Sequence, residues 1–360
     1  MNHVELFAGI GGFRQGMNLI EKDFQKSFHC VGFSEIDKNA VITYKANYCT
    51  NGEVEMGDIV AFNSNISNIK NLNFELLTGG FPCQPFSMMG QQQGFDDTRG
   101  TMFFEIEKIL KVKKQQRKTV PFVLLENVKN LYTHDNGNTF KVIKSKLEDL
   151  GYHVYSDIFN TSNFGLAQKR NRVYIFATTK KVGKDFDFSS KKIAAVFDEN
   201  LESFKSLSIQ KTVLDVLEKK VDSKYFLSDK LKPTILANGS ANFVSNSKIN
   251  QIIARPLTAT MHKMHRACQD NYYSQEFLNS KNPLKYLEKE FSKDEEAKHH
   301  IRKLTPEEAF NLQGFSKDFC KNARMKNVAD GQLYRQAGNA VSVNVVYAIL
   351  YYLFINQNLV

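Results

Sequence analysis

Short apolar runs alternate with amphipathic stretches from Met1 to about Thr178, and this alternation is the feature that most constrains the fold. It predicts strands and helices in βαβ order, and hence a mostly parallel sheet with helices on both faces. We predict strands at residues 4–7, 28–33, 75–78 and 122–126, and a closing strand pair at 154–159 and 172–177. Helices are expected from about Phe13, after Asp37, near Thr101 and over 138–150. The predicted class is α/β, a doubly wound sheet that binds ligands at the carboxyl ends of its strands.

Beyond residue 180 the periodicity weakens, and charged stretches alternate with short apolar pieces. Residues 181–300 therefore predict a second, smaller domain of irregular and β structure. Over 304–315 the pattern predicts a helix that Thr305 caps, Pro306 begins and Gly314 ends. A last helix is expected over 341–354, packed beside the first strands.

Charge and composition limit the partners and the compartment. The 360 residues carry a formal net charge of +10 and a pI near 9.1, which suits a nucleic-acid partner, although a merely solvated surface would give the same charge. We find no apolar run of membrane-spanning length and no signal-peptide pattern, so we expect a soluble, cytoplasmic protein without a membrane partner. The five cysteines form no CxxC pair, and no disulfide framework or metal site is predicted.

Cys83 lies between proline and glutamine in the run GGFPCQPFS at 79–87, which follows the mostly apolar stretch 74–77. Prolines fix the backbone of such a turn, and a thiolate attacks well only from a polar, accessible site. This context indicates a nucleophile presented at a strand end. The alternative is a buried cysteine that packs as a small hydrophobic residue, which is the commoner state of a free cysteine.

The glycine-rich loop FAGIGG at 7–12 lies between the first strand and the first helix. Glycines there let the backbone approach a cofactor closely, although a structural tight turn explains them equally well. The GxGxxG dinucleotide fingerprint is absent. Glu35 is placed to accept hydrogen bonds from ribose hydroxyls, and Asp58 to accept one from an adenine amino group. Either acid could instead be a surface charge or a helix cap.

Six segments occur together in a diagnostic order and spacing: VELFAGIGGFR at 4–14, GGFPCQPFS at 79–87, ENV at 126–128, QKRNR at 168–172, RPLT at 255–258 and QAGNAV at 336–341. Together they resemble the C5-cytosine DNA methyltransferases of bacterial restriction–modification systems. The resemblance spans nearly the whole chain and is weak only from about residue 180 to 253.

This resemblance implies an organisation of the chain. Residues 1–180 plus 320–360 would form the catalytic domain that binds S-adenosylmethionine, 181–300 the target-recognition domain, and 301–319 the hinge that returns the chain to the first domain. The cofactor residues implied are Phe7, Ala8, Gly9, Gly11, Gly12, Glu35, Ile36, Asp58, Ile59, Pro82, Met102, Asn339, Ala340 and Val341.

The resemblance also implies a reaction. The Cys83 thiolate would add to C6 of cytosine and make C5 nucleophilic. Glu126 would hydrogen-bond at N3 and the amino edge, and donating a proton there requires its pKa to be raised by desolvation. Arg172 would hold the pyrimidine oxygen and Arg170 would help to orient the site, although contact with phosphate or solvent suits both arginines equally well.

A stacked base is out of reach of this chemistry, so the target cytosine must flip out of the duplex. The loop 87–99 would be mobile and close over the DNA, although a disordered surface loop is the competing interpretation. Sequence reading is expected from 228–248 and 262–273. The loop and DNA contacts implied are Ser87, Met89, Gln91, Arg99, Gln168, Arg255, Thr258 and Arg266.

The expected partner is double-stranded DNA, bound by a monomer, with a cognate restriction endonuclease as a possible companion. Two rivals stay open: a tRNA cytosine-5 methyltransferase and a non-catalytic DNA-binding regulator with this fold. The context of Cys83 and the long variable stretch favour DNA over tRNA. A dehydrogenase on the same type of sheet is disfavoured because the dinucleotide fingerprint is absent.

Overall fold

The computed structural model describes residues 1–82, 102–240 and 243–360, which divide into two compact units. Unit 1 comprises Met1–Asn160, Asn171–Leu207 and Val345–Val360, and unit 2 comprises Thr161–Arg170 and Ser208–Asn344. These bounds differ from the predicted domains, because residues 181–207 pack with unit 1 and residues 301–344 with unit 2. Compactness does not test which part binds cofactor and which reads DNA, so that assignment stays a prediction.

Unit 1 is built, in the described part of the chain, on a seven-stranded sheet with the order β3-β2-β1-β4-β5-β7-β6. Its strands are β1 (Asn2–Leu6), β2 (His29–Phe33), β3 (Val54–Glu55), β4 (Leu76–Gly80), β5 (Phe122–Val128), β6 (His153–Asn160) and β7 (Asn171–Thr178). The first five strands pair in parallel, whereas β7 pairs antiparallel with both β5 and β6. The predicted doubly wound sheet with a closing strand pair is confirmed.

The helices of unit 1 follow the strands in alternation. They are α1 (Gly12–Phe24), α2 (Lys38–Asn47), α3 (Ile59–Ser64), α4 (Ile66–Asn71), α5 (Met102–Gln115), α6 (Asn138–Asp149) and α7 (Ser190–Glu199). Asp37 caps α2 as predicted, since its side chain accepts from the backbone N–H groups of Asn39 and Ala40. Gly151, with φ +93°, follows the end of α6 in the conformation that favours glycine.

Apolar side chains cover both faces of the sheet, which explains the nearly continuous apolar runs of its strands. On one face Val123 and Leu125 join a buried cluster with residues of α3 to α6. On the other face the Phe122 ring lies 5.1 Å from that of Phe354, near the C-terminus. The sheet is therefore the buried centre of unit 1.

The chain order reverses between β1 and β4, and that reversal locates the ligand crevice of a doubly wound sheet. In the parallel register Leu6 lies beside Gly79, and Gly80 lies beside Glu126 of β5. The glycine-rich loop, the segment leading to Cys83, and Glu126 thus leave neighbouring strands at the same edge.

Unit 2 consists of short elements. They are α8 (Lys232–Leu236), β8 (Gly239–Ser240), β9 (Phe243–Val244), β10 (Tyr272–Ser274), α9 (Gln275–Leu278), α10 (Pro283–Tyr286), α11 (Lys293–Glu296), β11 (Ile301–Lys303), α12 (Pro306–Leu312), α13 (Lys317–Met325) and α14 (Asp330–Asn339). The strands form two antiparallel pairs, β8 with β9 and β10 with β11. The predicted helix after Thr305 is confirmed as α12, with Thr305 as its cap and Gly314 at φ +92° beyond its end.

The chain ends in α15 (Val343–Leu350), which continues as a π-helical turn, Tyr351–Asn356. The residues of this stretch that belong to unit 1 pack on α1: the Tyr347 hydroxyl donates to Asp23 at 2.6 Å. A Cβ added to Gly16 would lie only 2.6 Å from a methyl carbon of Val346, so the two helices approach closely at this glycine.

Among the described residues, one stretch is long and apolar enough to cross a membrane by length and composition. It is Asp330–Asn356, whose most apolar 18 residues have a mean hydropathy of 1.5 and are 83% buried inside the protein. The expectation that the chain has no such stretch was therefore wrong, but this burial is typical of core helices of a soluble protein.

A buried ion pair joins β11 to α12 in unit 2. Arg302 donates through both terminal nitrogens to Glu308, at 2.8 and 2.7 Å, and both side chains are 0% exposed. Glu308 also accepts from the backbone N–H groups of Thr305 and Glu218, at 2.8 and 2.7 Å. Its carboxylate thus holds three segments of unit 2 together.

We predict that Glu308→Gln lowers the free energy of unfolding by about 3–5 kcal/mol, because Arg302 is left as a buried, uncompensated charge. Urea unfolding followed by far-UV circular dichroism measures the change. Asp318→Asn, which removes the exposed partner of Lys321, is the matched control and should cost less than about 1 kcal/mol. Equal losses in the two variants would contradict this account of unit 2.

Candidate functional site

The carboxyl ends of β1, β2 and β3 are tied together by hydrogen bonds. The Ala8 N–H donates to the Ser34 carbonyl at 2.8 Å, and the Gly9 N–H donates to Glu35 Oε2 at 2.7 Å. The Ser34 hydroxyl donates to the Gly57 carbonyl at 2.9 Å. The structure therefore brings the glycine-rich loop, Glu35 and the residue preceding Asp58 to one edge of the sheet.

The backbone of the glycine-rich loop is unusual at three positions. Phe7, Gly9 and Gly11 have φ values of +53°, +55° and +85°. Glycine adopts this region freely, but an aromatic residue there is strained, and such strain clusters at ligand sites. A Cβ on Gly9 would meet no atom within 4 Å, whereas one on Gly11 would collide with the Tyr48 ring. The loop therefore packs against the Tyr48 ring at Gly11 and borders open space at Gly9.

The two predicted cofactor acids are held differently. Glu35 accepts from the backbone N–H groups of Gly9, Ile36 and Asp37, at 2.7, 2.8 and 2.8 Å. Asp58 is exposed and caps α3 by accepting from the Val60 N–H at 2.9 Å, and its other carboxylate oxygen has no partner among the described residues. Asp58 is therefore a helix cap that retains one free acceptor.

Apolar residues around these acids differ in exposure. The side chain of Ile36, directly after Glu35, is 75% exposed, whereas Ile59 and Ala8 are buried. An exposed isoleucine directly after Glu35, just beyond the end of β2, offers an apolar surface for a planar ring. Gly12 is buried at the start of α1, and Met102, at the start of α5, is half-buried.

Glu5 is a residue of this site that sequence reasoning missed. It lies on β1, fully buried, and accepts from the Phe13 N–H in the first turn of α1 at 3.2 Å and from the Tyr44 hydroxyl at 3.4 Å. The Arg14 guanidinium donates to the same hydroxyl at 3.0 Å and forms an ion pair with Glu53 at 2.6 Å. An acidic residue inside an otherwise apolar strand was the available signal.

Glu126 and Arg172 form an ion pair on neighbouring strands. Arg172 lies opposite Val128 in the β5–β7 register, diagonal to Glu126, and its Nε lies 3.0 Å from Glu126 Oε1. Glu126 is only 8% exposed. Beside it, the Asn127 side chain donates to the Phe81 carbonyl at 2.9 Å, which ties this strand end to the segment that leads to Pro82. Two predicted catalytic residues are therefore in contact.

Several predicted site residues lie outside the described residues. They are Cys83, Ser87, Met89, Gln91 and Arg99. Pro82, which is described and exposed, follows Phe81 at the end of β4.

Arg170 is buried within unit 2 and connects two segments there. Its guanidinium donates to the carbonyl oxygens of Leu257, Gly338 and Ala340, at 2.9, 3.1 and 3.2 Å. A Cβ on Gly338 would collide with the backbone of Thr258, so these segments touch directly. This placement fits a positioning residue.

The predicted residues at 339–341 all belong to unit 2. Asn339 is exposed, Ala340 is buried and Val341 is half-buried. Thr258 lies beside Gly338, and its hydroxyl is buried without a hydrogen-bond partner among the described residues. Whether these residues complete the cofactor site stays a prediction.

Two of the predicted DNA contacts hold unit 2 together. The Gln168 side chain is fully buried, donates to the Leu312 carbonyl at 2.9 Å and accepts from the Leu257 N–H at 2.9 Å. Arg255 donates through Nε to the Ala267 carbonyl at 3.0 Å. The placement of Gln168 indicates a structural role, because a buried amide cannot reach DNA. Arg255 is half-exposed, and its Nε contact ties its own segment to the one at 267. Arg266 is likewise half-exposed.

Comparison with known proteins extends these observations. A family model described as C-5 cytosine-specific DNA methylase matches residues 1–354. The Type II methyltransferase M1.ScrFI of Lactococcus lactis subsp. cremoris is 38% identical over 347 residues, covering 96% of this chain and 76% of that protein. The Type II methyltransferase M.SsoII of Shigella sonnei is 38% identical over 354 residues, covering 96% and 78%.

Solved structures share the fold. The Entamoeba histolytica methyltransferase EhMeth superposes with a TM-score of 0.72 at 19% identity, covering 99% of this chain and 98% of that one. The S. pombe Dnmt2 methyltransferase gives a TM-score of 0.72 at 18% identity and full coverage of both chains. At these identities the likeness supports the fold alone, and it agrees with the predicted class.

Glu5 makes the stability of the protein depend on pH. Burial raises the pKa of Glu5 to about 7, from an ordinary value near 4.5. Between these values the folded chain holds a proton that the unfolded chain releases, so this residue's contribution to stability falls as pH rises, by about 3 kcal/mol across the window. We predict that Glu5→Gln removes this pH-dependent loss of stability. The glutamine carbonyl oxygen can still accept from the Phe13 N–H.

The measurement is the difference in free energy of unfolding between Glu5→Gln and the unchanged protein from pH 5 to 7.5. The difference should shift in favour of the variant as pH rises. His3, whose pKa burial lowers to about 3, titrates in both proteins and cancels. Glu202→Gln, at an exposed carboxyl of unit 1, is the control and should give a flat difference. A flat difference for Glu5→Gln would contradict the prediction.

Proposed function

Because this chain belongs to the family of C-5 cytosine-specific DNA methylases, we propose that it methylates a flipped-out cytosine within a specific duplex sequence through a covalent Cys83–C6 adduct. It is a DNA cytosine-5 methyltransferase of the restriction–modification type. The covalent step, the base flipping and the residues that perform them are our proposal.

The observation that carries the proposal is the Glu126–Arg172 pair at the end of β5. Gly80 of β4 lies beside Glu126 in the parallel register, and Cys83 follows Gly80 by three residues. The Glu126 carboxyl and the Arg172 guanidinium thus lie beside the strand end from which the chain runs on to Cys83, at the edge where such sheets bind ligands. These are the groups that addition to a pyrimidine ring requires.

The proposed reaction begins with addition of the Cys83 thiolate to C6. The C5–C6 double bond breaks as the S–C6 bond forms, and C5 becomes an enamine carbon that can attack a methyl group. S-adenosylmethionine, when bound, supplies that methyl group as an electrophile. C5 then loses its proton to a base, the double bond re-forms, and Cys83 leaves as the thiolate.

Glu126 offsets the charge that thiolate addition places on the ring. As a carboxylic acid it would donate to N3 while its other oxygen accepts from the exocyclic amine. In the DNA-free structure Arg172 contacts the Glu126 carboxyl. Entry of cytosine must therefore separate the pair, which frees Arg172 to bind the pyrimidine oxygen and Glu126 to bind N3 and the exocyclic amine.

The residues of unit 1 fit the expected cofactor. Glu35 and the free oxygen of Asp58 can accept from hydroxyl and amino groups, and exposed Ile36 can pack on an adenine ring. Phe7 and the loop glycines place backbone beside open space, where a ligand can approach closely. Contributions from Pro82, Met102 and the segment 339–341 remain part of the proposal.

The substrate of the proposed reaction is double-stranded DNA. The net charge of +10 supports association with phosphate. The relatives are Type II methyltransferases, and we propose a monomer in the cytoplasm that protects DNA from a cognate restriction endonuclease.

We predict that Cys83→Ala abolishes methyl transfer and leaves cofactor binding intact, because the thiolate acts on cytosine. With 5-fluorocytosine at the target position the proton at C5 is replaced, so the unchanged protein should be trapped on duplex DNA and Cys83→Ala should not. Denaturing electrophoresis detects the adduct. Cys49→Ala, at an exposed free cysteine, is the control and should trap normally. Turnover by Cys83→Ala, or preference for tRNA over duplex DNA, would overturn the proposal.

We predict that Glu126→Gln lowers kcat by about 10²- to 10⁴-fold, because glutamine can hydrogen-bond to cytosine but cannot donate a proton to N3. The KM for duplex DNA should change less than kcat. Glu55→Gln, at an exposed carboxyl on β3, is the matched control. A kcat within twofold of the unchanged protein would exclude Glu126 as the proton donor.

A further inference from the structure

Unit 2 contains an open surface groove of about 500 Å³. One wall is α8, which contributes Thr234 and Ile235. The other wall is the segment 264–269, here called the reading loop, which contributes Met264, Arg266 and Gln269. The volume is in the range of ligand sites, and the groove is open to solvent, with apolar Ile235 and Met264 beside the polar side chains of Arg266 and Gln269.

The backbone of the reading loop is held at several points. The N–H and ring Nδ1 of His265 both contact Asp270 Oδ2, at 2.8 and 3.1 Å, and the Tyr272 hydroxyl donates to the His265 carbonyl at 2.6 Å. The Ala267 N–H donates to the Ile235 carbonyl at 2.9 Å. The contact from Arg255 to the Ala267 carbonyl adds another tie.

The loop also begins in a strained conformation. Met264 has φ +55°, in the left-handed region that a residue with a side chain seldom adopts. Such strain persists only where surrounding contacts over-determine it, and it clusters at binding sites. Contacts with the rest of unit 2 therefore fix the backbone conformation of the reading loop.

Two long polar side chains on the reading loop have no polar partner among the described residues. Neither the Arg266 guanidinium nor the side-chain amide of Gln269 makes a hydrogen bond or ion pair with any residue in the described part of the chain. An arginine left unpaired on a fixed backbone retains all five donors for a partner at little cost in backbone ordering. Arginine pairs with O6 and N7 of guanine in the major groove, which is the commonest base-specific contact.

We propose that the reading loop reads a guanine of the target duplex through Arg266. This inference rests on the proposed function, since it assigns base specificity to a DNA methyltransferase. Gln269, three residues further on the same loop, is the second side chain placed for base-edge contact. A phosphate contact by Arg266 is the competing assignment, and it predicts a different result.

The test uses the full chain and a library of duplexes with random sequence, in which 5-methylcytosine is located by sequencing. The unchanged protein defines the preferred site. Arg266→Ala should relax the preference at one guanine position by about tenfold or more, with the other positions unchanged. Lys285→Ala, an exposed cation elsewhere in unit 2, is the matched control and should keep the full preference.

A second measurement uses the unchanged protein, so its result does not depend on whether Arg266→Ala folds. Duplexes carrying 7-deazaguanine at each guanine of the site should be methylated about tenfold more slowly at one position by the unchanged protein, because N7 is missing. Arg266→Ala should be insensitive to that replacement.

The inference is overturned if Arg266→Ala retains every preference, if it slows all sites equally as loss of a phosphate contact would, or if no 7-deazaguanine position matters. If the unchanged protein methylates no duplex in the library, the proposed function itself fails, and that result is distinguishable from the others.

Discussion

The structure of the candidate site depends on the register of four neighbouring strands, β1, β4, β5 and β7. Parallel pairing sets Leu6 beside Gly79 and Gly80 beside Glu126, and antiparallel pairing sets Arg172 opposite Val128. A shift of one residue in any pair would turn a functional side chain to the other face of the sheet. Because both faces are buried under apolar side chains, such a shift would also place polar groups in the core. Burial therefore enforces the geometry of the site.

The two units treat buried carboxyl groups in opposite ways. Glu308 has a guanidinium and two backbone N–H groups as direct partners, so its charge is compensated and it binds segments of unit 2 together. Glu5 has no direct ion pair in the described structure, since Arg14 is committed to Glu53. Desolvation then outweighs the remaining hydrogen bonds and raises the pKa of Glu5. The Glu5 carboxyl beneath the glycine-rich loop therefore gains and loses its proton near neutral pH.

The two arginines of the QKRNR motif at 168–172 make different contacts. Arg172 lies at a strand end beside Glu126, whereas Arg170, two positions earlier, is buried and holds the segments at 257 and 338–340. Gln168 is buried in the same way. An arginine that ties backbone segments internally and one that pairs with a carboxylate at a strand end look alike in a sequence, because both need several donors on a long stem. Only their tertiary contacts separate them.

The sequence alone determined the α/β class, the order of the strands and helices in the first 178 residues, the capped helix after Thr305, and the family. These follow from period, turn residues and motif order, which are local properties of the chain. Tertiary structure alone decided that Glu126 pairs with Arg172, that Glu5 lies beneath the loop, and that residues 181–207 pack with the sheet. It also decided that the Arg266 guanidinium stays unpaired within the described chain. Each of these depends on which distant segments meet and how much water they exclude, and no local pattern records either quantity.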